Sequence, residues 1–193
     1  TVTAQLSTFA QLAVRLAKMR GKMSHKEIDI IEEKMQQIPD AVEKTLPIQE
    51  RKVRQIAKKY RDRKPFLFLG RGISRATALE GTLKLLETNY IPSMPFAGGE
   101  KENGPMSLIT QGFPVVFVCP NDETHEKIAN DIQEVKTKGA SVIAIIEEGD
   151  EKIKALADDY IEIVRDMPKI VSPILCAIPL QLFAYYMAVE RGL

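Results

Sequence analysis

Apolar positions recur every three to four residues through the first sixty residues, then condense into short continuous runs. Leu6, Phe9, Leu12, Ala13 and Leu16 predict a helix that Arg20-Gly21 ends. Ser24, followed three residues later by Glu27, reads as a capping box opening a second helix through Ile28, Ile31 and Met35, expected to stop before Pro39. A third helix is expected from Pro39 to Tyr60 along Val42, Leu46, Val53 and Ile56, with a basic end suited to a helix C-terminus. From Pro65 the period changes. The runs FLFLG, PSMPF, PVVFVCP, SVIAII and YIEIV alternate with helical stretches, the first from Ser74 to about Asn89 and the next from about Glu123 to Lys138. Asn121-Asp122-Glu123 reads as the start of that second stretch and Lys138-Gly139 as its end.

Runs that are apolar on both faces and separated by helices imply a parallel sheet covered on two sides. The expected fold is α/β: a three-layer sandwich with a five-stranded parallel sheet, doubly wound and flavodoxin-like, over residues 65–193. A helical segment, residues 1–64, precedes it.

Composition narrows the function classes. The 193 residues are 45% hydrophobic and 27% charged, with a net charge of +1 and both signs interspersed, which fits a soluble globular protein. Neither a nucleic-acid footprint nor a basic membrane face is expected. Cys119 and Cys176 lie in apolar runs and read as buried thiols of a reducing, cytoplasmic compartment. His25 and His125 are too far apart to suggest a metal site, and no cofactor is expected. The start has no basic n-region and does not read as a signal peptide. Ile170 to Val189 carries no charge, long enough for a membrane span, yet Pro173, Pro179, Ser172 and Gln181 interrupt it. A helix buried on all sides explains it better.

Ligands of such a sheet collect beyond the carboxyl ends of its strands. The turn Gly70-Arg71-Gly72-Ile73-Ser74 lies there, and glycines before a helix N-terminus suit an anion, though a plain tight turn reads equally well. The loop Phe96 to Pro105, GGEKENG at its centre, is too polar for core and reads as a functional loop or a solvated connection. Between them Glu80, Lys84 and Glu87 share one helix face. They form either a surface ion-pair ladder or a carboxylate base, Glu87, with Lys84 tuning it, reaching into a cleft at the strand tips.

The segment LGRGISRATALEGTLKLLETNYIPSMPFAGGEKENGP resembles the second SIS (sugar-isomerase) domain of glucosamine-6-phosphate synthases, the glutamine–fructose-6-phosphate aminotransferases. Leu69 to Gly72, Ala78 to Gly81, Leu83 to Leu85, Glu87, Tyr90, Ala97, Gly98, Glu100, Gly104 and Pro105 match that family's LGRG, ALEGALKLKE, tyrosine and AGELKHGP pattern. Ala177 to Leu182 is similar to its IPLQLLAY helix, and the opening helices resemble its inter-domain helices.

The resemblance implies conversion of fructose 6-phosphate to glucosamine 6-phosphate. Glu87 would move a proton between C1 and C2, and Lys84 would steady the developing charge. Substrate contacts would fall to Asn103, Arg71, Ser74 and Glu80. Asn103 replaces the family's ring-opening histidine, and asparagine cannot exchange a proton near neutral pH. The implied partners are a phosphorylated sugar and a second copy in a homodimer. A glutaminase domain, a first SIS domain and a C-terminal tail are not in this chain, which is expected to be inactive alone. A non-catalytic phosphosugar-binding module, and a related deglycase or isomerase, remain as alternatives.

Overall fold

The computed structural model describes residues 2–100 and 104–193. Five parallel strands form one sheet: β1 (Phe66–Gly70), β2 (Ser93–Ala97), β3 (Pro114–Cys119), β4 (Ser141–Glu147) and β5 (Asp159–Ile163). They stand in the order β2-β1-β3-β4-β5. β1, β3 and the middle of β4 are buried on both faces, which accounts for their unbroken apolar runs. β2 is an edge strand, so Pro95 can sit in it without costing a ladder bond.

Among the described residues six α-helices accompany the sheet: α1 (Val2–Met19), α2 (His25–Tyr60), α3 (Ser74–Asn89), α4 (His125–Thr137), α5 (Glu151–Leu156) and α6 (Ser172–Glu190). Alternate strand residues face opposite layers. Phe66, Phe68, Val116, Val118, Ile143 and Ile145 form one core with α2, α3 and α6. Leu67, Leu69, Val115, Phe117, Val142 and Ala144 form the other with α4 and α5. The three-layer parallel sandwich expected from the sequence is present.

The capping box at Ser24 is complete: its hydroxyl accepts from the Glu27 N–H at 3.3 Å, and the Glu27 carboxylate accepts from the Ser24 N–H at 2.8 Å. The break expected before Pro39 is not there. α2 runs unbroken through Pro39 and Pro47 to Tyr60. Each proline removes one backbone bond. The buried stripe of Ile38, Val53, Ile56 and Ala57 carries the helix across, because packing on the sheet outweighs local propensity. That core also crosses the 64/65 change of pattern, so the last turns of α2 are a layer of the sheet domain. Tyr60 ends α2 by donating to Asp159 at the start of β5, at 3.0 Å; burial first, then Asp159, pushes its pKa up, so it stays a donor.

Among the described residues one stretch, Lys169–Glu190 with α6 as its body, is long and apolar enough to cross a membrane, but 72% of its most apolar part is buried inside the protein, between α2, α3 and the sheet. Both cysteines are buried and free, and burial pushes both thiols well up, which keeps them un-ionised. Leu85 of α3 is wholly buried in the α2/α3/α6 core. Leu85→Ala should therefore cost about 2–5 kcal/mol, read as a lower urea midpoint at unchanged m-value. An unchanged midpoint would mean that the core closes over the gap.

Candidate functional site

β1 leads to α3 on one face of the sheet and β3 leads to α4 on the other, so their adjoining carboxyl ends form the topological switch point. The turn from β1 into α3 stands there. A Cβ on Gly70 would meet the backbone of Ser74 and Arg75 closer than 3.0 Å, and Gly72 has φ +54°. The Ser74 N–H donates to the Arg71 carbonyl at 3.0 Å, and Ser74 is buried at the first turn of α3. Arg71 does not open toward a ligand. Its Nε donates to Asp131 Oδ2 at 2.7 Å and its Nη2 to Asp131 Oδ1 at 2.9 Å, a two-pronged pair with α4. The side chain of Asp131 is 4% exposed.

The second loop begins against this pair. A Cβ on Gly98 would lie 2.7 Å from Arg71 Nε and closer than 3.0 Å to Asp131 Oδ2. Asn103 lies outside the described residues, with Lys101 and Glu102. The chain is described again at Gly104, whose carbonyl accepts from the Ser107 hydroxyl at 2.5 Å, and Met106 returns to the core.

The carboxylates of α3 lie elsewhere. Lys84 Nζ is 2.6 Å from Glu87 Oε2 and 3.7 Å from Glu80 Oε1. The bond to Glu87 first, and then the two nearby carboxylates, raise the pKa of Lys84 against the opposing effect of burial, so it is a fixed cation. Glu80 Oε1 is buried and has no hydrogen bond, and Glu80 borders a cavity of about 340 Å³ between α1, α3 and α6. The side chain of Glu87 is 51% exposed.

A cleft at the strand tips was the place expected for Glu87, and the topology corrects this. β1 and β2 are parallel, so the intervening α3 must run back toward the amino ends of the strands. Thirteen residues at 1.5 Å each put Glu87 about 20 Å beyond Ser74 along that helix. The residues singled out from sequence thus divide: Arg71 and Ser74 at the switch point, Lys84 and Glu87 at the far end of α3, and Glu80 between.

Two features were not read from the sequence. Leu79, Leu83 and Leu86 are exposed on α3 beside the Lys84 cluster, and Tyr90, the left-handed residue that ends the helix, is exposed as well. The spacing of four and three residues among the leucines was the available signal. Asp131 is the other, an acid on the buried stripe Ile128, Ile132, Val135. Elsewhere, His125 Nε2 lies 2.6 Å from Asp150 Oδ2 beside a polar pocket after β4. Among the described residues no group of three His, Cys, Asp or Glu is placed to hold a metal ion.

The sequence model of the SIS domain family matches residues 59–191. A glutamine–fructose-6-phosphate aminotransferase [isomerizing] of Thermus thermophilus is 40% identical over 193 residues, covering 98% of this chain and 31% of its own length. That of Thermococcus kodakarensis is 36% identical over 192 residues, covering 100% of this chain and 31% of its own. The chain thus spans about a third of these relatives. Among solved structures, the C-terminal domain of glucosamine-fructose-6-phosphate aminotransferase from Francisella tularensis superposes with a TM-score of 0.91 at 30% identity, covering 98% of this chain and 53% of that one. A glucosamine-6-phosphate deaminase of Thermotoga maritima shares the fold at a TM-score of 0.67 and 22% identity, covering 97% of this chain and 52% of that one.

Proposed function

Since this chain belongs to the SIS domain family, we propose that it forms part of the isomerase half of a cytoplasmic aminotransferase making glucosamine 6-phosphate from fructose 6-phosphate and glutamine-derived ammonia. One observation carries the reading: the Lys84 ammonium sits between two carboxylates, and one of these, Glu87, is half exposed on the outer side of α3. Aldose–ketose isomerisation needs a base that removes a proton from one carbon and returns it to the next, and a carboxylate with one free oxygen can do both. A fixed cation beside it favours the enediolate-like charge that develops meanwhile. Glu80, at 3.7 Å, positions Lys84 from its other side and is not needed as a sugar contact.

An exposed face cannot exclude water, so the site must be walled by another surface. The exposed stripe Leu79, Leu83 and Leu86 on α3 supports this, since neighbouring apolar side chains on a helix face call for a cover. We assign that cover to a first SIS domain or a second copy of the chain. Arg71 and Ser74, about 20 Å from Glu87, are not retained as contacts to the same sugar.

The test is direct. The protein as its gene encodes it, given fructose 6-phosphate and glutamine, should release glucosamine 6-phosphate, measured by chromatography of the products. A folded protein that binds fructose 6-phosphate but yields no amino sugar would replace this reading with that of a binding module.

A further inference from the structure

We infer that Asn89 is a positioning residue: with Thr88 it forms a hydrogen-bonded chain from α6 to the backbone of Lys84, which sets the end of α3 that carries Glu87. The inference rests on the proposed proton-transfer role of Glu87 and Lys84. Glu87 stands in the last turn of α3, where backbone carbonyls run out of partners within the helix and the end tends to fray. A base that must meet one carbon and then its neighbour is poorly served by a fraying turn.

α6 supplies the fixed point. It packs against α2, α3 and the sheet, and its Ala184 is part of that buried core. The Asn89 side-chain amide donates to the Ala184 carbonyl at 2.8 Å and to Thr88 Oγ1 at 2.8 Å. The Thr88 hydroxyl in turn donates to the Lys84 carbonyl at 2.8 Å, with the Ala184 carbonyl farther off at 3.4 Å. The chain thus ends on the residue whose ammonium holds Glu87, 2.6 Å away. The backbone beside it is tied down as well. The Tyr90 N–H donates to the Leu86 carbonyl at 3.0 Å, and Arg191, just past α6, donates to the Asn89 carbonyl. A cation at a helix C-terminus also suits the dipole.

Stability alone is a poor reason for an asparagine here. Asn89 is fully buried, and its Oδ1 has no hydrogen bond, so part of the cost of burying the amide is not recovered. An apolar residue of similar size would leave no polar atom of its own unpaired. What the amide adds is direction. Two donors aimed at two acceptors, one on α6 and one on α3, set both the rotation of the last turn and its height. The effect on the reaction runs through the backbone of Lys84.

Three variants of the protein as its gene encodes it test this. Thr88→Val keeps the branched shape and removes the hydroxyl, and Thr88 is exposed, so the fold is not at stake. Thr88→Ser keeps the hydroxyl and loses the methyl. Asn89→Leu fills the same place and removes the amide. Thr88→Val and Asn89→Leu should each raise amide hydrogen exchange at residues 88–90 by about tenfold or more, with the core strands unaffected. Each should lower kcat for glucosamine 6-phosphate formation by about tenfold or more, while KM for fructose 6-phosphate stays within about threefold. Thr88→Ser should stay within about twofold of the unaltered protein in kcat. The double variant Thr88→Val with Asn89→Leu should do little more than either alone, since both break one chain. A kcat within about threefold of normal in Thr88→Val, an equal loss in Thr88→Ser, or unchanged exchange at 88–90 would each overturn the inference. The two threonine variants decide it even if Asn89→Leu does not fold. Failure of the unaltered protein to form glucosamine 6-phosphate would defeat the functional reading instead, and the exchange measurement would still decide whether the chain holds the end of α3.

Discussion

Glu87→Gln is expected to slow formation of glucosamine 6-phosphate by about 10²–10⁴-fold while leaving the Kd for fructose 6-phosphate within about threefold. Glutamine has the shape of glutamate and one oxygen fewer to accept a proton, so what disappears is proton transfer rather than fit. The fold should not suffer. Glu87 is half exposed, and an exposed helical ion pair is worth only about 0.3–0.5 kcal/mol. Lys84 also keeps Glu80 as a partner, so the cation is not stranded. The measurement is turnover by product chromatography beside calorimetric binding of the sugar phosphate. Turnover within a few-fold of the unaltered protein would remove Glu87 from the mechanism.

Much of the fold could be read because its signals are local, short runs and periodic stretches of the sequence. Runs such as VVFVC and VIAII, apolar on both faces, fit strands that helices cover on two sides, while the less apolar runs PSMPF and YIEIV marked the two edge strands. The flavodoxin-like expectation also carried a strand order of 2-1-3-4-5, and the observed β2-β1-β3-β4-β5 agrees with it. Pro39 misled because a proline breaks a helix only when packing does not carry it across, and Ile38 and Val53 lie on a stripe that does. The helix face shared by Glu80, Lys84 and Glu87 followed from spacing alone. Its position was legible too: a helix between parallel neighbours must run back along the sheet, so a residue in its last turn cannot stand at the strand tips. The Arg71–Asp131 pair, by contrast, joins residues sixty apart, and the sequence marked it only by an acid where an apolar residue was due.

Gly70→Ala is expected to be the most damaging single methyl in the molecule. The added Cβ would lie closer than 3.0 Å to the carbonyl oxygen and carbon of Ser74 and to the nitrogen of Arg75, all of them backbone. At Gly81 the neighbours are the ends of the Leu180 and Phe68 side chains at 3.0 Å, which can give. At Gly21 a Cβ would find nothing within 4 Å, and the only cost is φ +59°, about 1–2 kcal/mol. The β1–α3 turn has no such freedom, because the first turn of α3 must move as a unit. A loss above about 3 kcal/mol follows, or roughly 6–12 °C in Tm, and calorimetry beside Gly21→Ala checks it. A Tm within about 2 °C of the unaltered protein would show the turn to be plastic. The effect should also reach the chemistry. α3 is a continuous sixteen-residue helix, so shifting its start shifts the Lys84–Glu87 pair at its far end, and a misplacement of 1 Å can cost about 10²-fold in rate. Held well below its lowered Tm, the Gly70→Ala protein should therefore remain folded and bind fructose 6-phosphate, yet lose turnover in proportion to how far that helix has moved.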